Sequence, residues 1–98
     1  MIVVRRTYVP RAGAGGRLLA LIHQVSDGMV NAGFSPSRIF RTHTGYHGTL
    51  VVDQEWESFE TYEAARSVVR DTQAITSVFD EIYPLLQTTH HTEILVEA

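Results

Sequence analysis

The chain has neither cysteine nor lysine. Without cysteine there are no disulfides, no thiolate metal site and no thiol nucleophile. Without lysine the Gly-Lys-Ser/Thr core of a Walker phosphate loop is excluded. Long apolar runs are also missing, since none approaches the roughly 18 residues that cross a bilayer. Basic residues are few: eight stand against eleven acidic ones, for a formal charge of -3 and a pI near 5.9. That balance argues against a nucleic-acid partner, which demands a basic face. Arg5 and Arg6 follow the first apolar residues instead of preceding them, unlike a secretory signal. A cytoplasmic protein with no membrane and no nucleic-acid partner is expected.

What is present is ordinary globular composition, 44% hydrophobic and 19% charged. Ninety-eight residues make one domain over residues 1–98. A chain of this size buries only about two-thirds of its unfolded surface, so a partner subunit would help it.

The most informative stretch is Thr49 to Arg70. Leu50, Val52, Gln54 and Trp56 alternate with Thr49, Val51, Asp53 and Glu55, the period of two of a pleated strand. Ser58 is a good N-cap, and beyond it Phe59, Tyr62 and Val69 fall at helical spacing. The β-branched run Ile2 to Val9 predicts a first strand, stopped by Pro10. Leu18, Leu21, Ile22, Val25 and Met29 predict a helix from about Arg17 to Ala32, with Gly33 after its end and Gly28 a point where it could kink. Ser37 to Thr44 reads as a second strand and Gly45 to Gly48 as a turn. Asp71-Thr72 interrupts the later helix, Ile75 to Leu86 resumes it, and Thr88 to Glu97 is a last strand. The order is that of a ferredoxin-like α+β domain, βαββαβ, with a four-stranded antiparallel sheet covered by helices on one face.

Gly13-Ala14-Gly15-Gly16 lies between a strand and a helix, but the sixth place of a dinucleotide fingerprint would fall on Leu18. A flexible connection is expected there. The five histidines suggest no metal site. His90 and His91 are adjacent on a strand and point to opposite faces, and His43 and His47 have no evident third ligand. Trp56, Phe59 and Tyr62 are read as packing residues.

Polar residues within strands carry more weight. Closing the hairpin as a three-residue loop, Gly45 to His47, pairs Thr44 with Gly48. Arg41 and His43 then share the helix-free face with Thr49 and Asp53, and Phe40 turns toward the helices. His91 and Glu93 join that polar face from the last strand. A one-residue slip would reverse the assignment. Buried charges are costly unless paired or serving a ligand, and histidine beside a carboxylate suits proton transfer. The expected site is therefore His43 or His91 as catalytic proton carrier, with Arg41, Asp53, Glu93 and Thr49 as binding residues.

The opening VVRRTYVPRAG, with Arg6-Thr7-Tyr8 and then Gly13, resembles the NIPSNAP-like branch of the dimeric α/β-barrel superfamily. EWESFETYEAARSVVRD and Glu93-Ile94-Leu95 resemble that branch's strand-helix junction and final strand. The resemblance implies a homodimer whose sheets face each other around a cavity. Relatives include cofactor-independent antibiotic biosynthesis monooxygenases, haem-degrading monooxygenases and small cyclases. The haem-degrading group generally uses a histidine on the second helix, and none stands between Ser58 and Leu86, so no cofactor is expected. Two functions follow. One is a monooxygenase- or cyclase-like enzyme binding an aromatic or polyketide-like molecule. The alternative is a non-catalytic homodimeric binding or assembly module.

Overall fold

A computed structural model describes residues 1–98. Its elements are β1 (Ile2–Tyr8), α1 (Gly15–Asn31), β2 (Arg38–Arg41), β3 (Leu50–Trp56), α2 (Phe59–Asp71), α3 (Gln73–Ile82) and β4 (His91–Val96), with one 3₁₀ turn at Tyr83–Leu85. The four strands form one antiparallel sheet in the order β2-β3-β1-β4. The α+β ferredoxin-like expectation holds. No helix is long and apolar enough to cross a membrane.

Local chemistry explains the boundaries. Ser58 is extended, and its hydroxyl accepts from the Thr61 N–H at 3.1 Å, opening α2 as an N-cap should. Thr72 ends α2 and begins α3: its extended backbone breaks the helix, which restarts at Gln73. Gly33 adopts a φ of +92°, and the Gly33 and Phe34 amides close the α1 carboxyl end on Val30 and Met29 carbonyls. Gly28 does not break α1. A Cβ there would stand 3.1 Å from Ile75 Cγ1, so glycine lets α3 lie close against α1.

The register decides which side chains meet. Ile2, Val4, Arg6 and Tyr8 of β1 share the helix side with Leu50, Val52, Gln54 and Trp56 of β3. Two apolar clusters form beneath the helices. Tyr8, Leu18, Leu21, Leu50 and Ile82 anchor one, and Val4, Met29, Trp56, Tyr62 and Ile75 the other. Val25 and Phe79 pack against both. Truncating a fully buried member such as Leu18 or Ile75 to alanine would cost about 2–5 kcal/mol.

One expectation is overturned. Arg41 pairs with Leu50, not Thr44 with Gly48, so the hairpin closes one residue out of the expected register. The connection is an open loop in which Gly45 and Gly48 both take positive φ and Thr42 bonds to the Thr49 carbonyl. A bent segment and a single turn at His47-Gly48 replace the tight three-residue loop. With a side-chain period of two, that slip moves Phe40 to the helix-free face and Arg41 to the helix side.

Candidate functional site

The helix-free face carries a ladder of alternating charge. Arg38 lies opposite Asp53, Asp53 opposite Arg5, and Arg5 opposite Glu93, one residue from each strand. Arg5 Nε and Nη2 donate to the two Asp53 carboxylate oxygens, each at 2.9 Å. Those hydrogen bonds hold the Asp53 carboxyl below its ordinary value of 3.8, against the opposing effect of burial. Asp53 is thus engaged by a structural partner. Phe40, Val51, Thr7 and His91 form the next row.

The expected site residues separate on this framework. Asp53, Glu93 and His91 share the helix-free face, and His91 Nε2 lies 3.9 Å from Glu93 Oε1. Arg41 is exposed at the end of β2 on the helix side, and His43 is exposed in the loop. Thr49 is buried at the loop-strand junction with no partner for its hydroxyl. None of the six lines the apolar cavity beneath the helices.

That cavity, of about 290 Å³, lies on the other side of the sheet, between the helices and β1 and β3. It occupies the seam between the two apolar clusters. Its walls are aromatic and aliphatic, with Tyr8, Trp56, Tyr62, Phe79 and Tyr83 among them. Phe34, Trp56 and Tyr62 are tilted against one another with ring centroids 5.5 Å apart. At the opposite wall His90 lies 5.0 Å from the Tyr8 ring and nearly parallel to Tyr83.

Two polar groups stand out in this lining. Arg6 projects from the central strand β1 toward the helices, in the row of Ile39, Val52 and Thr92. Its Nη2 donates to the Tyr62 hydroxyl at 3.0 Å, and no carboxylate lies within 4.0 Å. A half-buried guanidinium without an anion is costly unless something else meets it. His90 continues the row of Tyr8, and its buried Nδ1 has no partner. Burial, and then the nearby Arg6 charge, hold His90 below its ordinary value of 6.5. It is therefore a neutral imidazole at pH 7. Burial likewise pushes Tyr8 up to about 12, so it remains a phenol. A neutral base and an unneutralised cation facing one apolar cavity can accept a proton from a bound molecule and hold the resulting anion.

The sequence did contain a signal for Arg6. Ile2, Val4, Arg6 and Tyr8 form one stripe, and a charge inside an apolar stripe marks either a pair or a ligand. Strand alternation sets His90 facing away from His91, but only the packing of Tyr83 and Tyr8 half-buries it. No group of three metal-ligating side chains is assembled.

No family model and no curated protein matches the chain. Solved structures do. The chain superposes over its full length on an uncharacterised NIPSNAP domain protein from Burkholderia xenovorans, covering 95% of that protein with a TM-score of 0.82 at 20% identity. A NIPSNAP family protein from Agrobacterium tumefaciens gives 0.84 at 17% identity, over 99% of this chain and 92% of that one. An antibiotic biosynthesis monooxygenase gives 0.80 at 15% identity, over 100% and 99%. The chain has the fold these proteins share.

Proposed function

We propose that this chain is an enzyme of the monooxygenase- or cyclase-like kind, acting on a flat aromatic or polyketide-like molecule held between the helices and the sheet. The observation that carries the reading is that Arg6 and His90 line one aromatic cavity of about 290 Å³. A volume of that size suits a ring system of two or three fused rings near the lower end of small-molecule sites. Both reaction kinds begin with the same step. His90 takes a proton from a phenol or an enolisable carbon, becoming imidazolium, and the electron pair stays on the substrate as a phenolate or enolate. Arg6 faces that oxygen and stabilises the charge as it develops. The phenolate is electron-rich enough to meet oxygen or an internal electrophile without a cofactor. The antibiotic biosynthesis monooxygenase of the same fold supports this choice of chemistry by analogy of fold.

The proposal moves the chemistry to the opposite side of the sheet from Asp53 and Glu93. Their face is assigned to assembly. Its charge ladder alternates in sign, and Phe40, Val51 and Leu95 lie beside it. On the edge strand β4, Leu95 and Val96 point to opposite faces and are 37% and 72% exposed. A strand bare on both sides is a liability that a second subunit removes. The homodimer through the sheets is therefore part of the proposal.

The test is turnover of hydroxylated naphthalenes or anthrones against pH. With His90 as general base, kcat/KM falls as pH drops through an inflection below 6.5. That inflection disappears in His90→Gln. A profile unchanged by this substitution would remove His90 from the mechanism.

A further inference from the structure

The cavity is electrically one-sided. Arg6, Arg66 and Arg70 line it and no aspartate or glutamate does, although the chain as a whole carries -3. Arg66 and Arg70 are exposed while lining the cavity, which sets them at its rim. They stand one turn apart on the same side of α2, above Tyr62, with Cβ atoms about 5–6 Å apart. Two guanidinium groups at that spacing can both reach one carboxylate. Arg66 lies over the Tyr62 ring, 6.0 Å from its centroid. Its single bond to Glu63, at 3.2 Å, is open to water on both sides and leaves the other N–H donors free. Arg70 has no carboxylate within 4.0 Å. Like charges at i and i+4 oppose the helix that carries them, and an anion between them removes that opposition.

We infer that the substrate is an aromatic acid, with its ionisable hydroxyl or enol inside at Arg6 and His90 and a permanent carboxylate at the rim between Arg66 and Arg70. This rests on the reading of the cavity as a substrate site and adds the class of substrate to it. The carboxylate takes no part in proton transfer; it fixes which end of the ring system enters first. The rim pairs are partly solvated, so each contributes modestly and is screened by salt.

The test uses isothermal titration of the intact protein with two probes. One is a hydroxynaphthoic acid bearing its two groups at opposite ends of the ring system. The other is the naphthol that lacks the carboxylate. The acid is expected to bind about tenfold more tightly at low salt, two partly exposed pairs each giving a few-fold. The ratio should shrink in high salt and fall to about one in the double variant Arg66→Gln, Arg70→Gln. Both side chains are exposed at the rim, so the variant keeps the fold, and circular dichroism verifies this. Equal binding of the two probes, or a preference that survives the double substitution, overturns the inference and leaves the cavity reading standing. Failure of both probes to bind overturns the two together.

Discussion

The two faces of one sheet are built from the same strands and each carries arginine, yet they treat charge in opposite ways. On the helix-free face two nitrogens of Arg5 donate to Asp53, and Arg38 and Glu93 extend the alternation across all four strands. On the helix side Arg6, one residue along, meets only a tyrosine hydroxyl and a cavity. The histidines repeat the contrast. His91 lies out in solvent near Glu93, while its neighbour His90 is enclosed by Tyr8 and Tyr83. A satisfied charge organises structure. An unsatisfied one in an apolar setting is poised for a ligand.

The largest effects should come from exchanging roles across the sheet. His90→Gln is expected to lower kcat/KM by about 10²- to 10⁴-fold, the usual contribution of a general base, while sedimentation shows the proposed dimer unchanged. His91→Gln should leave kcat/KM within about twofold. If steady-state kinetics reverses that order, chemistry belongs to the other face. Next, Val51→Asp places an unpaired carboxylate at the centre of the proposed subunit contact. It should weaken the dimer at least about a hundredfold, read by light scattering against concentration, because a buried lone charge costs several kcal/mol. A dimer that ignores this change would show that the subunits do not meet through their sheets.

Smaller effects sharpen the picture. Asp53→Asn should cost about 1 kcal/mol of stability at neutral pH, near the upper end for a partly exposed pair. The Asp53 carboxyl is depressed in the folded protein. The pair's contribution is therefore present above the ordinary value of 3.8 and is lost as pH falls through the lower, folded value. Urea titrations of the variant should show a shallower loss of stability in that acid range. The smallest effect belongs to His43→Ala. In an exposed loop it should shift stability by no more than about 0.5 kcal/mol and leave turnover unaltered.

Much of the fold was legible because it depends on short-range patterns. The alternation from Leu50 to Trp56, the Ser58 cap, the Gly33 stop and the break at Thr72 all act within a few residues, and each appears where its chemistry demands. The β2–β3 register was not legible in the same way. Two glycines with positive φ permit several loop lengths, and a shift of one residue exchanges Phe40 for Arg41 on the outer face. The enclosed histidine was also hidden. The expected strand from Thr88 begins only at His91, and which side of the chain His90 meets just before it depends on Tyr83, a residue outside the strand.

The sequence by itself determined the number and order of elements, the antiparallel sheet with helices on one side, and the split of each strand into two faces. Those follow from periodicity and backbone preference, which act locally. Only the tertiary structure decided which face holds a cavity, which arginine is neutralised and which histidine is half-buried. Solvation and ion pairing at each of these groups depend on neighbours dozens of residues away, as with Arg5 and Asp53 or Arg6 and Tyr62.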